Sequence, residues 1–442
     1  MASTSLTRTP SSNGNQKTWT LSCWIKRTGL GGTPTVIDGY YGNQSRYATI
    51  YFDSNNKFNV FSGLYSTGSS TSYLINYTTN RVFRDTNGWY HIVVAVDTTQ
   101  ATAGDRVKIY VNGVQETSFS TETQPAQNTD TYFNVTTSAM RMGVNGLDAV
   151  LSHVHWIDGT QYAASTFGST DSTTGEWKIN TSPSVTYGTN GFFIFKDSAS
   201  VTDQSGNSNN LTVSAGTLTN TEDCPSNVFC TLNPLYNQTG GQGVVLANGN
   251  TRSSYNPDSS RSSFGTIAVG TGKYYFEAKL ESVGTAPVIG VVDLAWPDIN
   301  GASGYGYHDN ALNFGYNSSG QKTSGGTNTA HGDSYTAGDI IGVAIDKTNN
   351  KLYFAKNGVW QNSSDPTSGS TGTGAAYNLA SDTLYTSACR MRNGGDWSFN
   401  FGNGFFGATA ISSEGTNASG IGKFEYDVPT GYTALSTKGL NE

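Results

Sequence analysis

The sequence predicts an all-β protein made of two tandem antiparallel β-sandwich (jelly-roll) domains. Only 13% of the 442 residues are charged, whereas glycine (53), tyrosine (25) and phenylalanine (20) are abundant. Aromatic and β-branched residues favour strands, and Gly, Asn and Ser favour the turns between them. Apolar residues recur with a period of two along both halves of the chain, which indicates half-buried strands. A chain of this length can bury two separate cores.

The strands of the first half follow one another at short intervals. In Thr18–Lys26, the residues Trp19, Leu21, Cys23 and Ile25 alternate with Thr20, Ser22 and Trp24. The Asn112-Gly113 dipeptide accepts positive φ at both central positions of a tight turn and predicts a hairpin. Ala163–Phe167 has room for one helical turn at most. The other predicted strands are Tyr47–Phe52, Lys57–Phe61, Trp89–Val96, Val107–Val111, Val150–Ile157 and Gly191–Phe195.

The second half repeats this organisation after a polar interval. The strand pattern lapses after Val213, and we expect domains at residues 1–213 and 236–442 joined by a linker at residues 214–235. Lys273–Glu281 alternates, with Tyr274, Phe276, Ala278 and Leu280 predicted inward. Ile340–Ile345 is apolar on both faces, as a central strand would be. The remaining strands are predicted near Gly243–Leu246 and in Lys351–Trp360, with a turn at Asn357-Gly358.

Charge and hydropathy exclude several classes of partner. The net charge of −7 and pI of about 5.3 leave no basic surface for phosphates, so no nucleic acid is expected. No run of 18 or more apolar residues predicts a membrane span. Met1–Ser12 is polar and lacks the apolar core of a signal peptide. Cys23, Cys224, Cys230 and Cys389 match no zinc-site spacing and are expected to be reduced, although a local Cys224–Cys230 disulfide stays open.

The first half resembles a known family over several motifs. Together they are similar to a concanavalin A-like, laminin-G-like jelly roll, in the form found in large structural proteins of marine bacteriophages, especially cyanophages. The resemblance implies a virion protein that acts by surface contacts. Its motifs are Thr9–Ser12, Gly14–Arg27, Gly88–Val93, Val107–Gly113, Leu151–Gly159 and Asp203–Asn210.

The second half resembles a SPRY domain. Eukaryotic SPRY domains bind protein loops and peptides, so the resemblance implies a binding module. Little of the partner-contacting loop sequence is recognisable here, and the type of ligand does not carry over. The motifs are Gly272–Ala278, Ile289–Val292, Gly338–Asp346 and Lys351–Gly358.

Paired carboxylates are the first requirement of a glycan-cleaving jelly roll. Glu277 and Glu281 share a predicted strand face, but Lys273 and Lys279 lie close to them, and we expect solvated surface charges. Glu425 and Asp427 are likewise expected at the surface. We therefore predict no catalytic residues and no enzymatic activity.

Two patterns contain potential metal ligands. His153 and His155 share one face of a predicted strand, but a third ligand is missing, and a packed pair is favoured. Asp203, Ser205 and Asn207, followed by Asn209, place side-chain oxygens at every second position of a Gly-containing loop. This could hold a structural calcium ion, although a loop of Asx turns that bonds its own backbone is favoured. No other cofactor is expected.

Aromatic residues in a glycine-rich loop form the predicted ligand site. Trp296, Tyr305, Tyr307 and His308 fall in or near a Gly-rich loop, Gly301–Gly306, which cannot be a core strand. Aromatic rings stack on sugars and anchor interfaces. The alternative is that these rings cap their own sandwich.

The sequence therefore predicts a non-enzymatic phage structural protein, fibre-type or at the particle surface. Its expected partners are other virion proteins, further copies of itself and host surface polysaccharide. One alternative is a capsid or tail decoration protein with a purely structural role, and a glycan-degrading tail enzyme ranks below both. The expected location is the virion, after synthesis in the host cytoplasm.

Overall fold

The computed structural model describes residues 4–40, 47–64, 72–235, 243–295 and 313–441. The chain divides into two compact units, Met1–Asn220 and Thr221–Glu442. The predicted all-β class is confirmed. In these ranges the only helical pieces are short 3-10 turns, at Ala103–Asp105, Ala164–Thr166, Gln361–Ser363, Gly369–Thr371 and Gly439–Asn441. No helix within them is long and apolar enough to cross a membrane.

The first unit contains sixteen described strands, and the predicted hairpin lies at Asn112-Gly113, with φ of +48° and +80°. The strands are β1 Ser5–Arg8, β2 Thr18–Arg27, β3 Thr35–Tyr40, β4 Tyr47–Phe52, β5 Lys57–Leu64, β6 Ser72–Val82, β7 Tyr90–Asp97, β8 Val107–Val111, β9 Val114–Gln115, β10 Phe119–Thr123, β11 Ala139–Val144, β12 Ala149–Asp158, β13 Gly168–Thr170, β14 Trp177–Ile179, β15 Phe192–Ile194 and β16 Thr212–Ala215.

Two antiparallel sheets enclose the core of the first unit. One has the order β10-β6-β5-β4-β3-β11-β1-β16 and the other β15-β12-β2-β7-β8-β9. Trp19 of β2 stacks on Trp156 of β12 at 5.0 Å between ring centroids, and Phe133 packs edge-on against Trp19. The alternation predicted for β2 therefore places its apolar residues in a sandwich core. A separate β13–β14 hairpin accompanies the two sheets.

The second unit contains seventeen described strands, and its predicted hairpin lies at Asn357-Gly358, with φ of +48° and +79°. The strands are β17 Val245–Ala247, β18 Arg252–Tyr255, β19 Arg261–Val269, β20 Lys273–Ser282, β21 Val288–Asp293, β22 Phe314–Asn317, β23 Gln321–Ser324, β24 Thr327–Ala330, β25 Ile340–Asp346, β26 Lys351–Lys356, β27 Val359–Trp360, β28 Tyr377–Asn378, β29 Tyr385–Met391, β30 Gly395–Asn400, β31 Phe405–Phe406, β32 Thr409–Ala410 and β33 Thr433–Ala434.

The second unit is also a sandwich. Its larger sheet has the order β17-β18-β30-β20-β25-β26-β27, with β28 beside β26 and β33 parallel to β20, and the other sheet has the order β19-β29-β21-β22-β23-β24. Phe276, Val343 and Phe399 belong to its core. The residues from 404 to 441, which we call the C-terminal segment, add Phe424, Tyr432 and Leu435 to the same core. A short β31–β32 hairpin forms a third, two-stranded sheet.

The predicted linker at residues 214–235 belongs largely to folded structure. Its start lies in β16, which pairs with β1. Farther on, Phe229, Cys230 and Leu232 are buried in the core of the second unit. These three residues belong to a short apolar run, Val228–Leu232, within an otherwise polar stretch. All four cysteines are free, including Cys224 and Cys230.

Candidate functional site

The predicted ligand residues Trp296, Tyr305, Tyr307 and His308 lie outside the described residues. Their role stays a prediction.

The Asp203 loop is organised by hydrogen bonds within its own unit. Asp203 is buried, and its Oδ1 accepts the backbone N–H groups of Phe193 and Ser205 at 2.9 and 2.8 Å. Its Oδ2 accepts the Ser205 hydroxyl and the Asn209 backbone N–H, both at 2.8 Å. Both carboxylate oxygens therefore already accept two hydrogen bonds each. This is the geometry that the Asx-turn interpretation requires.

Asn207 takes part in the same arrangement through its amide nitrogen. This nitrogen donates to the carbonyl oxygens of Gly188 and Gly191 at 2.6 and 3.1 Å. Within the described ranges, no group of three or more His, Cys, Asp or Glu residues is placed to hold a metal ion. The calcium ion proposed for Asp203, Ser205 and Asn207 stays a prediction.

His153 and His155 both pack against Phe193, with ring centroids 5.7 and 4.0 Å from its ring. The pairing of β12 with β2 shifts register between Ser152 and His155, and His153 has a φ of +46°. The His153 Nδ1 is 2.8 Å from the Ser152 hydroxyl, and the His155 Nδ1 is 2.8 Å from the Tyr187 hydroxyl. Burial lowers the pKa of His153 to about 4, so the ring is neutral at pH 7. The Nδ1 of each histidine therefore has a hydroxyl partner within the protein.

The prediction that Glu277 is a solvated charge is wrong. Its side chain is fully buried, because the C-terminal segment packs on this face of β20. The carboxylate accepts hydrogen bonds from the Tyr275 hydroxyl at 3.2 Å and from the Asn400 amide at 3.1 Å. It also accepts hydrogen bonds from the backbone N–H groups of Glu425 and Tyr426, each at 2.9 Å. Burial raises the pKa of Glu277 to about 7.

Glu281 has a different environment from Glu277. It is partly exposed at the end of β20, and its carboxylate lies 3.9 Å from the Lys279 ammonium. Glu281 therefore fits the predicted surface charge, whereas Glu277 is enclosed by protein donors. In this arrangement the two carboxylates do not face each other across an open cleft.

The eight-stranded sheet of the first unit carries an aromatic cluster that the sequence analysis missed. On β4, Ala48, Ile50 and Phe52 point into the core, so Tyr47 and Tyr51 lie on the opposite face. Cross-strand register brings further rings to this face. We call the group the aromatic face; its residues are Tyr40, Tyr47, Tyr51, Phe61 and Tyr73.

Three rings of the aromatic face contact one another across strands. Phe61 lies 6.3 Å from Tyr47 and 5.8 Å from Tyr73, measured between ring centroids. Tyr73 is 49% exposed, and the other rings are partly exposed. They form a semi-exposed surface whose rings are held by neighbouring strands. Such a surface can stack against a flat ligand with little loss of side-chain freedom.

The charges beneath the aromatic face balance each other. Asp38 is fully buried and accepts a hydrogen bond from the Arg141 guanidinium at 2.6 Å. The same guanidinium lies 3.9 Å from the centroid of the Tyr40 ring. Burial raises the pKa of Asp38, against the hydrogen bonds from Arg141 that lower it. Burial also raises the pKa of Tyr47 and Tyr51, which stay neutral. The face therefore suits a neutral ligand better than an ion.

Amide and hydroxyl groups lie beside the rings. Asn76 is opposite Phe61 in the register of β5 and β6, and Thr78 is opposite Asn59. The Thr78 hydroxyl donates to the Asn59 amide oxygen at 2.6 Å. Rings flanked by neutral polar groups are typical of sites that bind sugars or protein surfaces. The signal for this face was present in the alternation of Tyr47–Phe52, whose solvent-facing positions hold tyrosine.

Comparison with known proteins adds family assignments for both units. The model of the concanavalin A-like lectin/glucanases superfamily (Laminin_G_3) matches residues 2–164, and the SPRY domain model matches residues 273–403. The chain carries a concanavalin A-like domain followed by a SPRY domain. No curated protein matches the chain.

Solved structures similar to part of the chain include two SPRY domains and one toxin. The SPRY domain of human HERC1 is 17% identical, with a TM-score of 0.29, and the match covers 38% of this chain and 96% of that one. Stonustoxin is 18% identical, with a TM-score of 0.30 and coverage of 40% and 27%. The PSpry domain of TRIM65 is 12% identical, with a TM-score of 0.30 and coverage of 38% and 89%.

The six-stranded sheet of the concanavalin A-like domain differs from the aromatic face in being covered. Val93, Ala95 and Ile157 on its outer side form a buried cluster with Ala164 and Phe167. Trp177 of the β13–β14 hairpin packs on the cluster, and its indole N–H donates to the His91 Nδ1 at 3.0 Å. Residues after β12 thus close this side of the domain over much of its surface.

Proposed function

We propose that this chain is a non-enzymatic surface component of a bacteriophage particle, whose concanavalin A-like domain binds host surface glycan through the aromatic face. The observation that carries the proposal is the row of partly exposed rings on β3 to β6 above a neutralised Asp38–Arg141 pair. Sugar rings present C–H faces that stack on aromatic side chains, and their hydroxyls bond to neutral amides. The resemblance of the first-half motifs to marine phage structural proteins supports the particle location.

The Glu277–Glu281 pair of the second domain, which the sequence offers as a candidate for glycan cleavage, is disfavoured by the environment of Glu277. A glycoside hydrolase needs two carboxyl groups that reach the scissile bond from opposite sides. The Glu277 carboxylate instead accepts four hydrogen bonds from its own domain and is fully buried. We expect no release of reducing sugar from host polysaccharide.

The test is binding of purified host surface polysaccharide to wild type and to Tyr73→Ala. Loss of an anchoring ring should cost about 1–2 kcal/mol, which weakens affinity roughly 5- to 30-fold. Leu384→Ala is the matched control, because Leu384 is also 49% exposed but lies in the SPRY domain. Wild-type melting temperature in both variants would show that the fold is kept. Equal affinity of Tyr73→Ala and wild type would contradict the proposed site.

A purely structural role among virion proteins is the second candidate. It is favoured by two edge strands, β9 and β27, each of which follows an Asn-Gly turn. Their first residues, Val114 and Val359, are 63% and 66% exposed. Edge strands with exposed apolar residues are surfaces for pairing with another chain, including a second copy. This candidate predicts self-association that Val114→Lys or Val359→Lys weakens.

A further inference from the structure

Strand β24 (Thr327–Ala330) is an open edge of the six-stranded sheet of the second unit. All of its residues are exposed, and within the described ranges no strand pairs with the side that faces away from β23. Its sequence, Thr-Asn-Thr-Ala, contains neither a charged residue nor a proline, which are the usual features that keep an edge strand from pairing. This edge therefore does not oppose the addition of another strand.

Two other edge strands of similar length are less suited to pairing. β10 carries Glu122, and antiparallel pairing of β10 with a copy of itself would bring two carboxylates close together. β16 pairs with β1 through a register shift between Ser5 and Leu6, and such bulges twist an edge away from a partner. The pairing of β23 with β24 has no shift, and its turn residues Gly325 and Gly326 have φ of +54° and +73°, as a type I′ turn requires.

The backbone groups of β24 that point outward follow from its pairing with β23. The N–H of His331, directly after β24, donates to the carbonyl of Gly320, directly before β23, at 3.1 Å. Antiparallel ladders alternate along the strand, so Asn328 and Ala330 direct their N–H and C=O groups away from β23. These two residues present a regular donor and acceptor pattern to a further strand.

We propose that β24 pairs antiparallel with β24 of a second copy of this chain, about a two-fold axis beside Thr329. Asn328 of each copy then lies opposite Ala330 of the other copy, and each such pair exchanges both of its N–H···O bonds. The two Thr329 residues meet at the axis as a non-hydrogen-bonded pair, in which threonine side chains interact favourably.

A second copy is the occupant that this strand fits, because a neutral strand meets no like charge when it lies opposite itself. Two-fold symmetry makes the same surface serve both partners, and the two six-stranded sheets become one continuous sheet. The pairing lies in the SPRY domain and does not depend on glycan binding by the aromatic face. It also uses a different edge from β9 and β27.

Disulfide trapping tests the register. The protein is the full chain carrying Cys224→Ser, because Cys224 is partly exposed whereas the other three cysteines are buried. In the proposed dimer the two Thr329 Cα atoms are about 4.5 Å apart, within the range of a disulfide. The two Thr327 Cα atoms are about 14 Å apart. With oxidised glutathione, we expect Thr329→Cys to form a disulfide-linked dimer and Thr327→Cys, the matched control on the same strand, to stay monomeric.

A proline substitution tests the backbone bonds. Ala330→Pro removes an N–H that points away from β23, so the melting temperature should stay that of wild type. Sedimentation equilibrium should give this variant a dimer Kd roughly tenfold above that of wild type. Added to Thr329→Cys, it should suppress the cross-link. Val359→Lys, at edge strand β27 of the other sheet, should change neither result.

Three results would overturn the proposal. The first is that Thr329→Cys forms no cross-linked dimer at millimolar protein concentration. The second is that Thr327→Cys and Thr329→Cys cross-link to the same extent, which would indicate random collision. The third is that Val359→Lys suppresses the cross-link and Ala330→Pro does not, which would assign self-association to β27. Glycan binding is measured separately on Tyr73→Ala, so failure of either proposal is distinguished from failure of the other.

Discussion

Glu277 connects the central strand β20 to the C-terminal segment through a buried carboxylate. Its carboxylate accepts four hydrogen bonds, and two of the donors are the backbone N–H groups of Glu425 and Tyr426. Desolvation opposes the ionised form more strongly than these donors favour it, so the pKa rises to about 7 from an ordinary value of 4.5. The protonation state of one residue is thereby linked to the stability of the second domain.

The linkage predicts how stability changes with pH. Because the folded chain binds this proton more tightly than the unfolded chain, the Glu277 contribution to the free energy of unfolding is full below about pH 4.5. It is lost as the pH rises towards 7, by on the order of 3 kcal/mol. We expect the difference in free energy of unfolding between wild type and Glu277→Gln to show this decline between about pH 4.5 and 8. Urea denaturation of both proteins measures it.

The subtraction is needed because buried His331 has an opposite effect. Burial lowers its pKa to about 4, so its contribution to stability is lost as the pH falls below 6.5. Glu281→Gln is the matched control, because it makes the same substitution at a partly exposed position of the same strand, and the decline attributed to Glu277 should persist in it. Parallel profiles for wild type and Glu277→Gln would show that Glu277 does not titrate in this window.

The environment of Glu277 also shows a limit of inference from local pattern. Alternation along Lys273–Glu281 correctly placed Tyr274, Phe276 and Leu280 in the core. It could not show that the opposite face is covered, because the covering residues lie about 150 positions later in the chain. Tyr275, which interrupts the polar pattern of that face, is buried there too.

At the scale of elements, the segment from 221 to 235 behaves as part of the second domain. Leu232 is fully buried, and its backbone N–H donates to the Asn250 carbonyl at 2.8 Å. Leu235, three residues later, is 65% exposed. The segment is therefore anchored by a few deep side chains and not by a continuous apolar strand.

This anchoring predicts unequal effects of two leucine substitutions. Leu232→Ala should lower the free energy of unfolding by roughly 2–5 kcal/mol, because it leaves a cavity in the core. Leu235→Ala should change it by less than about 0.5 kcal/mol. Chemical denaturation of the two variants gives the comparison. Equal, small effects would mean that the segment is a linker, as its composition suggests.

Elements determined by local chemistry were predictable from the sequence. Asn112-Gly113 and Asn357-Gly358 form the expected turns because few other dipeptides accept positive φ at both positions. The aromatic face was not predicted, because it requires the register that places Tyr40, Tyr47, Phe61 and Tyr73 on neighbouring strands. Period-two alternation shows which side of a strand a residue takes but not which residues of other strands lie beside it.

At the scale of the whole molecule, a concanavalin A-like β-sandwich and a SPRY β-sandwich follow each other in one chain. Each has its own core, and each presents partly exposed side chains on a sheet or an edge strand. The low proportion of charged residues, 13%, gives these surfaces a neutral character suited to glycans and to neighbouring protein subunits. The proposed particle location accounts for both kinds of partner.

Imaging of an intact phage particle at side-chain resolution tests the central claim most directly. We predict density for both sandwiches on the outside of the particle, with Tyr47, Phe61 and Tyr73 of the aromatic face turned to solvent. If another subunit covered these rings, the structural role would replace host glycan binding. Absence of the chain from purified particles would contradict the account as a whole.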